Sequence, residues 1–336
     1  MTSPTGTQLT SGDPHQPRAQ SHARTTPRAL GIAVSLLSLA AVVWWVAHQE
    51  APTFPSSAQE LAVLAFALVT HASTILLRGW RWHVILRRVG IVHQEVDAFG
   101  LVAVGYMGNV VLPARGGELL RVLLLHERSS GSRREILGSI IAERLLDVIS
   151  LVFLLALVTL AGTAGTPAGV APAIGGLAAI AVGAIVLAIY LHLRRRGRFE
   201  TFAAKVRPVA RASKPLLSPT GAGLLALSAG IWLLEGFVFA LVAHSVGVDL
   251  SLLEGAFLVV IANFFALIPA APGYVGTYDA AVLFGLNALG VPNDAAIGTA
   301  ILARLVAFVP VTIAGLILLV TRYGGFGMLR RAEESA

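Results

Sequence analysis

The sequence contains no cysteine. Disulfides, thiolate nucleophiles and cysteine-based metal sites are therefore excluded, and the redox compartment is left open. Charge is scarce too. Only 13% of the 336 residues are Asp, Glu, Lys or Arg, about half the roughly 25% with which a soluble domain covers its surface. The nine histidines are scattered without an HExxH or other ligand spacing, so neither a metal nor a cofactor is expected. A Walker-type phosphate loop and a GxGxxG turn are both missing, which argues against nucleotide-driven chemistry.

What the chain has in abundance is apolar sequence. Hydrophobic residues make up 56% of it, and the mean hydropathy is +0.77. They fall in runs near the roughly 20 residues needed to cross a bilayer. The composition therefore predicts an all-α polytopic membrane protein. Residues 1–28, rich in Ser, Thr, Pro and Gln, read as a disordered tail. Unbroken apolar segments follow at 29–47, 58–77, 136–162, 170–193, 220–246 and 296–321. Two more, 95–126 and 251–290, are interrupted by proline and glycine.

The net charge of +7 could suggest nucleic acid, but its distribution points to a membrane instead. Basic residues cluster in the tail, at 78–88, 115–134 and 194–214, and near the C-terminus at Arg322, Arg330 and Arg331. The intervening stretches "HQEAPTFPSSAQE", "AGTAGTPAG" and "SVGVDLS" carry neither Lys nor Arg. The positive-inside rule places the basic set in the cytoplasm. Six spans then alternate correctly if each broken segment enters and leaves on one side. The expected architecture is six full spans plus two re-entrant helical hairpins in a plasma membrane of bacterial type, with both termini cytoplasmic. Paired full spans would satisfy the same parity. The boundaries expected are 1–28 for the tail, 29–322 for the membrane domain and 323–336 for a C-terminal tail. Arg78, Trp80, Arg81 and Trp82 read as an interfacial anchor at a cytoplasmic helix end.

The halves resemble each other at offsets between 154 and 161 residues. "LLRGWRW" at 76–82 matches "LLEGFVF" at 233–239, Asn109 and Pro113 match Asn263 and Pro269, Glu118 falls near Asp279, and Arg144 aligns with Arg304. Approximate repeats of 29–165 and 170–322 with opposite orientation give the inverted-repeat plan of many transporters, whose substrate site lies between repeats at broken helices. The breaks are set by Pro113, Gly116 and Gly117 in the first half and by Pro269, Pro272, Gly273 and Gly276 in the second. Ordinary proline kinks or interhelix turns are the alternative reading.

A charged side chain at the centre of a membrane helix costs roughly 2.5–3.5 kcal/mol on insertion scales. Glu143, Arg144 and Asp147 lie within one apolar run, and Glu235 and Arg304 are flanked by apolar residues. Two readings stand side by side. In one the charges pair and hold helices together; in the other they line a polar cavity at the repeat interface.

At "GNVVLPARGGELLR", "ERLLDV" and "IPAAPGYVGTYDAA" the chain resembles the lysylphosphatidylglycerol synthase transmembrane-region family, also described as flippase-like integral membrane proteins. The resemblance covers roughly 60–322. It assigns Asn109, Pro113, Arg115, Gly117, Glu118 and Arg121 to a first motif. Glu143, Arg144 and Asp147 form a second, and Pro269, Pro272, Gly273, Gly276 and Asp279 a third, where Tyr278 and Asp279 depart from the usual pattern. The resemblance implies a lipid translocator for a polar-headgroup phospholipid or lipid-linked molecule. Its partners would be membrane lipids with anionic or lipid-linked headgroups, and no nucleic acid. Arg115, Arg121, Arg144 and Arg304 would stabilise a phosphate; Glu118, Glu143, Asp147 and Asp279 would balance them. Glu235, Asn109 and Asn263 complete the expected path. The membrane segments take up nearly all of the chain, so no aminoacyltransferase domain and no catalytic residue is expected. A membrane-embedded transferase, or a non-catalytic partner of a separate lipid-modifying enzyme, are the alternatives. The sequence leaves the oligomeric state undetermined.

Overall fold

The computed structural model describes residues 39–40, 43–44, 47–49, 51–112, 116–161, 219–266 and 272–325. The 1–28 tail, most of the 29–47 segment, the 170–193 segment, the 194–214 basic run, Pro113, Arg115, Pro269 and residues 326–336 lie outside them.

Among the described residues every regular element is helical. The order is α1 (Ala58–Val89), α2 (Glu95–Val111), α3 (Gly116–His126), α4 (Arg133–Ala161), α5 (Pro219–His244), α6 (Leu252–Phe265), a 3-10 turn (Pro272–Tyr274), α7 (Thr277–Ala288) and α8 (Asn293–Thr321). Four of these, α1, α4, α5 and α8, are long and apolar enough to cross a membrane. The sequence helix, broken pair, helix thus occurs twice.

Local chemistry starts these helices. Ser57 and Glu60 cap α1 reciprocally, as Ser251 and Glu254 cap α6. Ser132 and Glu135 make the same exchange at the start of α4. Each pair satisfies two backbone donors that the first turn leaves open. Helix α1 runs well beyond the expected 58–77 span. It ends only at Gly90, whose φ of 87° suits a left-handed C-cap. Arg78 and Arg81 therefore sit within a continuous helix rather than beyond its end.

The packing has a counterpart in each half. Helix α1 packs on α2 as α5 packs on α6, and α2 pairs with α3 as α6 pairs with α7. The last helix of each half crosses to the other: α8 lies against α2, and α4 against α6. At the centre, α1 and α5 run antiparallel, because Phe66 meets Phe237, Arg78 meets Glu235, and Arg81 meets Ser228.

Close backbone approach requires glycine at one point in particular. Gly117 of α3 sits against Gly105 and Asn109 of α2, and a Cβ there would overlap the Gly105 carbonyl oxygen. Small residues of this kind let membrane helices pack closely. At one end of the bundle, Asp97 of α2 accepts from Arg322 Nε at 2.9 Å and from the Tyr323 hydroxyl at 3.3 Å. Burial, and secondarily the Asp97 carboxylate, pushes the Tyr323 phenol up to about 12, so it remains a donor.

Gly117→Ala should force α3 away from α2 and cost on the order of 1–3 kcal/mol. Gly223→Ala, at a site with nothing within 4 Å, serves as the comparison. Thermal unfolding of the detergent-solubilised protein should show a clear fall for the first and none for the second. Equal midpoints would refute the tight α2–α3 contact.

Candidate functional site

A polar stripe on α1 organises the centre of the molecule. His71, Thr74, Arg78 and Arg81 follow one another at three- and four-residue steps, so they share one helix face. All four are buried. Arg81 Nη1 donates to Asp147 Oδ1 at 2.7 Å and to Ser228 Oγ at 2.6 Å, while Nη2 reaches Glu143 Oε1 at 3.2 Å. Arg121 Nη2 donates to Glu143 Oε2 at 2.6 Å. Each Glu143 oxygen thus meets a guanidinium, and α1, α3, α4 and α5 are joined through one cluster.

Aromatic rings complete it. The Arg121 guanidinium lies 4.0 Å from the Trp82 ring centroid, and that of Arg78 lies 4.4 Å from the Trp232 ring. Such stacking suits arginine, whose planar group is weakly hydrated. Trp82 Nε1 donates to Ser139, and Trp232 Nε1 to Asp147. The interfacial-anchor reading therefore fails for Arg78, Arg81 and Trp82, which are buried, whereas Trp80 is exposed. The signal missed was the polar stripe itself, visible once α1 is read as continuous through Arg81.

Beside the cluster lies a cavity of about 220 Å³, bounded by both halves. Glu118, Arg144, Asn109 and Tyr106 face it from the first half, and Glu235, Asn263, Tyr274 and Tyr278 from the second. Arg144 occupies a special place here. Its guanidinium is shared among three carboxylates: Glu143 at 3.3 Å, Asp147 at 3.4 Å and Glu118 at 3.6 Å. Its side chain keeps 35% exposure, against at most 3% for Arg78, Arg81 and Arg121.

The equivalent pair in the second half is closed more tightly. Arg304 of α8 holds Asp279 with Nε–Oδ1 at 2.6 Å and Nη2–Oδ2 at 2.8 Å. It also donates to the carbonyls of Gly273 and Tyr274. Backbone acceptors at the break after Pro272 are satisfied in this way. Asp279 accepts from the Gly276 N–H at 3.0 Å as well, capping α7. In the first half Asn109 does the comparable work, accepting from the Gly117 N–H at 3.1 Å at the start of α3. Asn263 differs from Asn109: its amide donates back to Val259 at 2.9 Å within its own helix.

The structure thus gathers Asn109, Glu118, Arg144, Glu235 and Asn263 around the cavity. Glu143, Asp147 and Arg121 lie in the supporting cluster, and Asp279 and Arg304 at the second break. His71 and Arg78 join the cavity wall, although sequence reasoning did not select them.

Removing one partner of a buried ion pair strands the other and costs about 3–5 kcal/mol. Arg81→Ala should therefore strongly lower the thermal unfolding midpoint in detergent. Arg87→Ala, on the exposed side of the same helix, should stay within about 0.5 kcal/mol of the parent. Equal effects would show that the cluster does not stabilise the bundle.

The family model described as lysylphosphatidylglycerol synthase TM region matches residues 28–315. A UPF0104 membrane protein of Methanothermobacter thermautotrophicus is 24% identical over 314 residues, covering 83% of this chain and 91% of that protein. A protein of Haloferax volcanii named glycosyltransferase AglD is 26% identical over 322 residues, covering 81% of this chain but 50% of its own length. A UPF0104 membrane protein of Pyrococcus horikoshii is 27% identical over 126 residues, 37% of this chain and 36% of that one. No solved structure matches. With the family match extending over most of the sequence, and four membrane-length helices around a buried polar centre, this integral membrane protein belongs to the lysylphosphatidylglycerol synthase TM region family.

Proposed function

We propose that the chain moves a polar-headgroup phospholipid or lipid-linked molecule across the membrane, with the headgroup passing through the cavity between the halves. The observation that carries this reading is Arg144, whose charge is divided among three carboxylates while its side chain remains open to the cavity. Its Nε, 3.6 Å from Glu118, is too far for a hydrogen bond. A phosphate oxygen entering the cavity can meet the exposed part of this side chain without breaking the Arg81–Glu143–Asp147 cluster behind it. Acyl chains stay in lipid, so only the headgroup needs a polar path.

The inverted-repeat architecture belongs to the same proposal. Antiparallel α1 and α5 place the equivalent residues Arg78 and Glu235 against each other at 3.3 Å. That is what a two-fold axis across the helix direction would bring about, and such an axis lies in the membrane plane. The broken pairs α2–α3 and α6–α7 then enter as re-entrant hairpins from opposite sides. Six spans, the repeat boundaries and cytoplasmic termini in a plasma membrane complete this reading. The similarity to a protein named glycosyltransferase, which matches over half of that protein's length, favours as second reading a membrane partner of a lipid-modifying activity.

Purified protein in phosphatidylcholine liposomes, tested against a panel of fluorescently labelled phospholipids, should accelerate leaflet exchange of at least one phosphate-bearing lipid. Arg144→Gln should lower that exchange at least tenfold at matched protein levels, whereas Arg87→Ala should not. No exchange for any lipid, or equal rates for both variants, would overturn the proposal.

Topology is checked separately, and the absence of native cysteine removes background labelling. Glu127→Cys and Asp249→Cys should label from the cytoplasmic and the outer side respectively. Labelling of both from one side would refute the opposed hairpins.

A further inference from the structure

The described charges around the cavity are balanced: Arg78, Arg81, Arg121 and Arg144 face Glu118, Glu143, Asp147 and Glu235. Arg304 and Asp279 neutralise each other. An anionic phosphate entering such a neutral, largely buried site brings one uncompensated charge, which is costly at membrane depth. Among the described residues, one histidine in the cavity wall is placed to supply the balancing positive charge.

That group is His71. It is 7% exposed and lines the cavity. Its Nδ1 lies 3.1 Å from Glu235 Oε2, while Nε2 is buried and has no hydrogen-bond partner. The neighbouring acceptor is the backbone carbonyl of Ala307 on α8, also in the cavity wall. With Nδ1–H donating to Glu235, a neutral ring turns its Nε2 lone pair toward that carbonyl, and no donor among the described residues bonds it. A proton at Nε2 removes this mismatch and leaves every other bond unchanged.

Charged and titratable groups stand near the ring on the neighbouring helices. Arg78 lies two turns along α1, Glu235 opposes from α5, Arg144 on α4 and Tyr106 on α2 line the same cavity, and Asp147 on α4 lies behind them against Arg78. Tyr278 on α7 and, behind it, Arg304 on α8 complete the wall. Glu235 is held in turn by Thr74 at 2.8 Å and Arg78 at 3.3 Å, so its carboxylate stays fixed beside the ring.

We infer that His71, backed by Glu235, is a proton-binding site through which an anionic headgroup and one proton move together. This rests on the proposed translocator reading and adds its coupling ion. The step is a simple transfer: water on one side gives a proton to Nε2, the cavity becomes +1, a monoanionic phosphate headgroup neutralises it, and both leave on the other side. No covalent bond to lipid forms or breaks, and net charge movement is zero. Histidine suits the task because its ordinary titration range spans physiological pH.

The test uses the full chain in phosphatidylcholine vesicles carrying fluorescently labelled phosphatidylglycerol, with the membrane potential clamped to zero. For one proton per lipid, a gradient of one pH unit should bias the label about tenfold toward the leaflet on the alkaline side. In His71→Gln that bias should vanish, whatever exchange remains. Wild-type exchange with no bias, or bias retained in the variant, overturns the inference while leaving the translocator reading intact. If the wild type moves no lipid, the translocator reading fails, and histidine NMR decides the proton site by itself. By reciprocal linkage, the His71 signal should become protonated at higher pH in phosphatidylglycerol than in phosphatidylcholine micelles. Identical titrations in the two lipids overturn the inference.

Discussion

A charge held away from water must find an opposite charge close by, and the structure depends on how Arg81 meets that demand. Its guanidinium, fully buried, bonds Asp147, Glu143 and Ser228, three side chains on two other helices. Glu143 spends its second oxygen on Arg121. Remove Arg81 or Glu143 and a partner loses the opposite charge it was buried against. Helices that lipid alone gives little reason to associate are thus held in one arrangement by mutual electrostatic need.

The cluster forms one wall, and the cavity lies beside it. Arg144 stands at the boundary, on the same helix as Glu143 and Asp147 but about 100° around from Glu143, so it shares their charge while facing the open side. The second half has no equivalent of that arrangement, since Ala303 and Ala307 stand one residue before and three after Arg304. Arg304 has Asp279 to itself and clamps the backbone of the break. The two halves therefore repeat a plan but divide its uses: one arginine closes a helix break, the other is left available to the cavity. Divergence of this kind suits the proposed headgroup path, with one wall meeting the headgroup and the other holding its shape.

Much was legible in the sequence because lipid imposes simple rules. Twenty apolar residues in a row have few fates, and proline with paired glycines breaks a helix wherever it occurs. The repeated helix, break and helix follow from these signals, as do the positions of Glu118 and Asp279 in the first turn of the helix after each break. In the structure Arg144 pairs with Glu118, and Arg304 with Asp279. Membership of the lysylphosphatidylglycerol synthase TM region family could be read from three short motifs and agrees with the match over residues 28–315.

What the sequence by itself determined was therefore one-dimensional: which stretches are apolar enough for a bilayer, where helices break, and which charges need partners. Who those partners are was decided only by tertiary structure. Arg78 and Arg81 stand near Arg87 and Arg88 in a basic stretch that by composition suggests a membrane surface, yet the first two are buried and the last two exposed. Likewise, nothing local to His71 or Glu235 indicates that residues on separate helices share a cavity wall. The physical reason is range. Hydropathy and backbone preference act over a few residues, whereas the identity of an ion-pair partner depends on how whole helices cross, and that is settled only when the two halves pack together.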